Sequence, residues 1–193
     1  MQGDRSVGAL ILAAGASRRY GSPKQLVAVD GRTMLAHVIG AAVTAGLEPV
    51  VVVVPAWLPP PAGLDAPSMK WVRNAFPERG ISLSLRLGLG AFPPEVSAAL
   101  ILLGDQPRIS PATIIAVLSA RGDRAIVATS ADGVLAPPVL IERTHFHLVD
   151  ELNGDVGLRH LLRENLGLVM AVSVPTHAAD VDTPADLGRI NGP

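Results

Sequence analysis

The chain has 193 residues, a formal net charge of −1 and no cysteine, and 49% of it is apolar while only 3% is aromatic. That length suits one domain over residues 1–193, with a core filled by Ala, Val, Leu and Ile. Near-zero charge gives no field to gather nucleic acid, and the missing cysteines exclude disulfides and thiolate metal sites. The start of the chain lacks a signal-peptide plan and no apolar run reaches bilayer length, so a cytoplasmic protein with no membrane or nucleic-acid partner is expected.

Residues 7–13 form an apolar run suited to a strand buried on both faces. It breaks into the small residues 14–17, where Gly15 can take positive φ. Arg18, Arg19 and Lys24 follow, with no acid between Asp4 and Asp30 to neutralise them. Asp30-Gly31 reads as a turn. Thr33 is placed to cap a helix that runs to about Ala45 and ends at Gly46, with Leu35, Val38, Ile39, Ala42 and Val43 on one face. His37 on this helix reads as an ordinary half-buried histidine. Residues 50–54 are all valine and predict a second buried strand. A Pro-rich irregular loop runs to Pro67, and residues 70–73 predict a short third strand.

Residues 81–89 alternate strictly, a pattern that by itself argues for a half-buried strand. Residues 98–103 predict a central strand, which ends in Gly104-Asp105-Gln106-Pro107. Ser110-Pro111 then opens a helix, with Ser as cap and Pro in the first turn. Residues 125–129 predict a strand, Asp132-Gly133 a turn, and residues 138–141 another strand. Helices are expected over 142–152 and 156–165, a last strand over 168–174, and a short helix from Asp182-Thr183-Pro184. Strands alternating with helices predict an α/β fold with a mostly parallel sheet in three layers.

Ligands of such sheets bind at the carboxyl ends of the strands, which places the loop at Gly15 and the turn at Asp105 on one crevice if their strands are neighbours. Backbone N–H groups and clustered cations suit a polyphosphate. The spacing fits neither a Walker loop nor a dinucleotide fingerprint, and no nucleophile elbow is present. Asp105 is the first candidate ligand for Mg²⁺, which takes one or two carboxylates plus phosphate oxygens. Gly-Asp-x-Pro is also an ordinary β-turn, and Asp182 is also a good helix cap. His145 and His147, two apart, point to different faces of a helix and share a metal poorly.

Leu12-Ala-Ala-Gly-Ala-Ser-Arg-Arg-Tyr-Gly-Ser-Pro-Lys24 resembles the L-A-A-G-x-S-x-R-M-G-x-x-K signature of Rossmann-like nucleotidyltransferases of the nucleotide-diphospho-sugar transferase type, with Tyr20 in place of Met. The segment Gly80 to Gly88 resembles the family's G-x-S-x-S-L-x-x-G, which opens a helix; the helix is therefore the reading adopted there, against the alternation. Asp180-Val-Asp-Thr-Pro-Ala-Asp-Leu187 is similar to D-x-D-T-P-x-D-L. Pro137-Pro-Val-Leu140 with Arg143 and Phe146, and Leu152-Asn-Gly-Asp-Val-Gly-Leu-Arg-His-Leu-Leu162, resemble the C-terminal segments of the molybdenum-cofactor cytidylyltransferase group, with Ile141 for Phe and Leu158 for Ala.

The resemblance implies an N-terminal half that binds the nucleotide and a C-terminal half that binds the acceptor. It places Leu12 and Ala13 on the base through backbone atoms, Ala14, Gly15 and Gly104 along the nucleotide, and Ser82 and Ser84 at base or ribose. Arg18 and Lys24 would hold the β- and γ-phosphates, and Asp105 and Asp182 the Mg²⁺, with Asp180 as the fallback ligand. Pro138, Gly154, Asp155 and Arg159 would border the acceptor. The implied reaction moves CMP from CTP to a molybdopterin-type cofactor destined for an apo molybdenum hydroxylase. GTP as donor, a sugar or polyol phosphate as acceptor, and a non-catalytic carrier of the finished cofactor are the alternatives.

Overall fold

The computed structural model describes residues 6–15, 23–61, 63–64, 66–181, 183 and 185–186. Arg18, Arg19 and Asp182 lie outside the described residues, as does most of the helix expected after Pro184. The chain opens with β1 (Val7–Leu12), a 3₁₀ turn at Lys24–Leu26, and a small hairpin of β2 (Ala28–Val29) and β3 (Arg32–Thr33). There follow α1 (Met34–Thr44), β4 (Val50–Pro55), β5 (Met69–Asn74), α2 (Ile81–Leu89), β6 (Ala98–Leu103) and α3 (Pro111–Ser119). β7 (Ile126–Ala131), β8 (Val134–Glu142), α4 (Leu158–Glu164) and β9 (Val169–Ser173) complete it.

One sheet takes the order β5-β4-β1-β6-β8-β7-β9, and all its pairings are parallel except those of β8 with β6 and with β7. The mostly parallel three-layer α/β/α arrangement expected from the sequence is what forms. Alternate residues of the central strands face opposite layers: Ala9, Ile11, Val52 and Leu100 pack with Leu35 and Val38 of α1 and Ile114 of α3. Leu10, Val51, Val53 and Ile101 pack with Leu85 of α2 and Leu161 of α4. Thr33 and Ser110 cap α1 and α3 by accepting from Ala36 N and Thr113 N, as their positions in the sequence required.

Three expectations need correction. The strand expected at 138–141 begins at Val134, because Asp132 (φ 50°) and Gly133 (φ 76°) form a two-residue hairpin turn of the I′ kind. Pro137 and Pro138, which look like strand breakers, sit where the β7–β8 register shifts between Ala128 and Thr129, so no ladder bond needs their missing N–H. The segment expected as a helix over 142–152 is 3₁₀, Arg143–Glu151, with no capping side chain and only Val149 buried. α4 is shorter than the expected 156–165.

The helix at Ile81–Leu89 goes against the alternation of its sequence. Ser82, Leu85 and Leu89 fall on one helical face and are buried with Ser84 and Gly88, whereas Leu83 and Leu87 are only half-buried. A Cβ at Gly88 would come within 2.2 Å of Leu10 Cδ1, so glycine lets α2 lie close on β1.

Candidate functional site

The chain proceeds from β1 outward to β4 and β5, then returns to the other side of β1 with β6. The two directions part between β1 and β6, the place in an open α/β sheet where ligands bind. Leu12 pairs with Leu103, so the loops that follow these strands start side by side. Gly104 N donates to Leu12 O at 2.9 Å. A Cβ on Gly104 would stand 2.8 Å from Ala13 Cβ and 3.1 Å from Leu12 O, so only glycine lets the loops touch this closely. Across this junction Lys24 Nζ meets Asp105 Oδ2 at 2.6 Å, with side chains 13% and 24% exposed. The loop cation and the mid-chain carboxylate therefore share one opening at the carboxyl edge of the sheet.

Gln25, beside Lys24, carries a role that residue type alone did not signal. It is buried, and its Nε2 donates to Ala13 O at 2.7 Å and to Gly15 O at 3.0 Å. The amide thus ties the 3₁₀ turn bearing Lys24 to the loop after β1. Gly15 is exposed and does not use its freedom to take a positive φ, and a Cβ there would meet no atom of the described residues within 4 Å. Gln25→Leu should leave the fold intact yet free the loop. The expected result is a triphosphate KM raised about tenfold, the scale of one or two neutral hydrogen bonds, with a smaller change in kcat, measured by steady-state pyrophosphate release.

The turn after β6 is also tied to the far end of the chain. Val181 N donates to Asp105 O at 3.0 Å, and Gln106 Nε2 donates to Asp180 Oδ1 at 2.8 Å and to Ala178 O at 3.3 Å. Asp105 and Asp180, far apart in the sequence, are thereby brought to one turn. Among the described residues no cluster of three or more His, Cys, Asp or Glu could hold a metal. One or two carboxylates with room for phosphate oxygens and water fit a hard divalent ion such as Mg²⁺ or Mn²⁺ and not a closed zinc-type cage.

The sequence profile of the MobA-like NTP transferase domain matches residues 9–169. The chain belongs to this family. It is 28% identical to the purine catabolism protein PucB of Bacillus subtilis (strain 168), with 94% of each chain covered. The crystal structure of Rv0371c from Mycobacterium tuberculosis H37Rv superposes with a TM-score of 0.83 at 28% identity, over 97% of this chain and 98% of that one. Rv0371c has also been solved in complex with manganese, and that structure superposes with a TM-score of 0.78 at 25% identity, over 96% and 97% of the two chains. At 20% identity and a TM-score of 0.73, over 96% and 97% of the two chains, the fold is shared with 2-C-methyl-D-erythritol 4-phosphate cytidylyltransferase from Thermus thermophilus. The domain is thus of nucleotidyltransferase type.

In this MobA-like domain the remaining expected residues divide between two faces of the sheet. Leu12, Ala13 and Ala14 are buried at the end of β1, with Ala13 N bonded to Val53 O at 2.8 Å. On the α2 face, Ser82 is wholly buried and its hydroxyl has no partner among the described residues, while Ser84 Oγ accepts from Asn74 Nδ2 at 3.0 Å. Gly154 O accepts from Ser82 N at 3.2 Å, so the Gly154-Asp155 turn lies against the start of α2. Asp155 and Arg159 are exposed beyond it.

Pro138 is on the other face. It lines a cleft of about 350 Å³ with Arg108, Ser110, Thr129, His177 and Ala179. The Gly154-Asp155 turn and Arg159 are not among the residues that line this cleft. Arg108 follows Asp105 by three positions and Ala179 precedes Asp180, so the cleft adjoins the Lys24–Asp105 pair. His177, which no motif singled out, bridges Thr129 Oγ1 (3.3 Å) and Val134 O (2.9 Å) on its wall. His37 is structural: its Nε2 bonds Val29 O at 2.7 Å.

Proposed function

We propose that the protein is a cytoplasmic nucleotidyltransferase that moves CMP from CTP to the terminal phosphate of a molybdopterin-type molybdenum cofactor, with Mg²⁺, releasing pyrophosphate. The observation that carries this reading is the 2.6 Å contact of Lys24 with Asp105 at the β1–β6 junction. Resemblance of the C-terminal segments favours cytidine and this acceptor.

Lys24 and Asp105 neutralise one another before the nucleotide arrives. Two opposite charges near 4 Å attract by about 4 kcal/mol at an effective dielectric near 20, so each stays poised until a better partner replaces the other. Lys24 then turns to the β- or γ-phosphate, and Asp105 with Asp180 or Asp182 would hold a divalent ion. The bound ion supplies charge neutralisation for the triphosphate. An oxygen of the acceptor phosphate bonds to the α-phosphorus as the bond to the β-phosphate oxygen breaks. Charge accumulates on the departing pyrophosphate, where Arg18 and Lys24 stabilise it. No protein nucleophile is required. The Leu12-Ala13 backbone and the start of α2, which carries Ser82 and Ser84, border the nucleoside, and the cleft at Pro138 holds the acceptor body.

The test is a panel of the four ribonucleoside triphosphates with molybdopterin cofactor and Mg²⁺, read by pyrophosphate release. CTP alone should turn over. Turnover with GTP alone overturns the cytidine assignment, and turnover with none of the four favours the non-catalytic carrier.

A further inference from the structure

Gln106 is 4% exposed, and its amide orientation is fixed by chemistry. Its Nε2 faces two acceptors, Asp180 Oδ1 and Ala178 O. The flipped amide would set its oxygen against a carboxylate and a carbonyl, which repel it. In the orientation so fixed, Oε1 is buried and meets no donor among the described residues. A buried acceptor without a donor costs stability, and such a group calls for a reason to exist. An apolar side chain of the same length would avoid that cost. What it would lose is the grip of Nε2 on the Ala178–Asp180 stretch of backbone and on the Asp180 carboxylate.

We propose that Gln106 is a positioning residue: it clamps the segment bearing Asp180 onto the turn bearing Asp105, so that carboxylates from the middle and the end of the chain meet the same divalent ion, and it does so at the expense of stability. The proposal rests on the divalent-ion reading above. The clamp acts through two contacts at one turn, the Gln106 amide and the Val181 N–H to Asp105 O. The second is a backbone bond and survives substitution at 106. Loss of the first should therefore loosen Asp180 without detaching the segment.

Gln106→Met in the full chain is the test, with Mn²⁺ binding followed by electron paramagnetic resonance of the free ion and stability by thermal unfolding. The substitution removes the donor and the unpaired acceptor together. Expected are a thermal midpoint equal to or above that of the wild type, Mn²⁺ affinity reduced at least tenfold, and a lowered kcat at limiting metal that saturating metal partly restores. Gln106→Leu provides the second variant: close in size and without a polar atom, it also removes the grip on Asp180 and should likewise weaken Mn²⁺ at least tenfold. A lowered midpoint with unchanged Mn²⁺ affinity in either folded variant makes Gln106 a structural residue and overturns the clamp. Failure of both variants to fold overturns it equally. Wild-type protein that binds no Mn²⁺ overturns the divalent site itself, whereas wild type and variants that bind alike overturn only the clamp.

Discussion

Asp105→Asn is expected to slow pyrophosphate release by about a hundredfold to a thousandfold, the scale on which one preorganised electrostatic partner contributes to a transition state. The substitution keeps the shape of the side chain, and its amide oxygen can still accept from Lys24 Nζ, which now sits 2.6 Å from Asp105 Oδ2. Only the charge is removed. A neutral amide is a poor ligand for a hard divalent ion, and Lys24 loses this counter-charge in a site where it is 13% exposed. The two losses act on different steps. Weaker ion binding should appear as a higher metal concentration for half-maximal rate, and the altered Lys24 as a changed triphosphate KM. Steady-state rates across a Mn²⁺ titration separate them. Unfolding stability should move by about 2 kcal/mol, since the pair is part-buried and keeps one hydrogen bond. A variant with wild-type turnover would remove Asp105 from the chemistry and, with it, the reading of the β1–β6 junction as the reacting centre.

The fold was largely legible because its signals are redundant. The valine run of β4 and the apolar runs of β1 and β6 are each surrounded by breakers, and the caps Thr33 and Ser110 mark where helices start. What one sequence read alone conceals is pairing. Nothing in residues 134–142 says that β8 runs antiparallel between β6 and β7; only the hairpin turn at Asp132-Gly133 hints at it, and Pro137-Pro138 points the other way. The alternation in Ile81–Leu89 misleads for a related reason, because Ser82 and Ser84 are buried polar residues and the pattern rule assumes that polar means exposed. For the site, charged residues announced themselves and amides did not. Gln25 and Gln106 are uncharged, common and silent in sequence, yet they fix the loop after β1 and the turn after β6 through bonds to backbone and, for Gln106, to the Asp180 carboxylate, which only the folded chain brings into reach. Pro138 is grouped with Gly154, Asp155 and Arg159 by the family resemblance of their segments; in the fold Pro138 lines the cleft beside Arg108 and His177, whereas the Gly154 turn rests on the start of α2.

Gly80→Ala should cause the largest loss of stability among the single changes considered. Gly80 has φ 88° and ψ 177°, a region open almost only to glycine, and an L side chain there costs about 1–3 kcal/mol from backbone strain alone. The added methyl would also stand 2.1 Å from Gly154 C and 2.5 Å from Asp155 N. These are backbone atoms, so no rotamer change relieves the overlap; either α2 or the Gly154-Asp155 turn must move. Ser82 N to Gly154 O, 3.2 Å, is the bond that breaks first. Strain and displacement together should lower stability by about 3 kcal/mol or more, which for a domain of this size is a fall in thermal midpoint of roughly 6–12 °C. The functional signature should differ from that of Asp105→Asn. At temperatures where the variant stays folded, the Lys24–Asp105 junction is untouched, and metal dependence should be that of the wild type. The start of α2, with the buried Ser82, is displaced, so the nucleoside triphosphate KM should rise while the metal requirement does not. Wild-type stability in Gly80→Ala would mean that the Gly154 turn yields easily and does not brace α2. Unchanged stability with a shifted metal dependence would place that turn at the ion instead of the nucleoside.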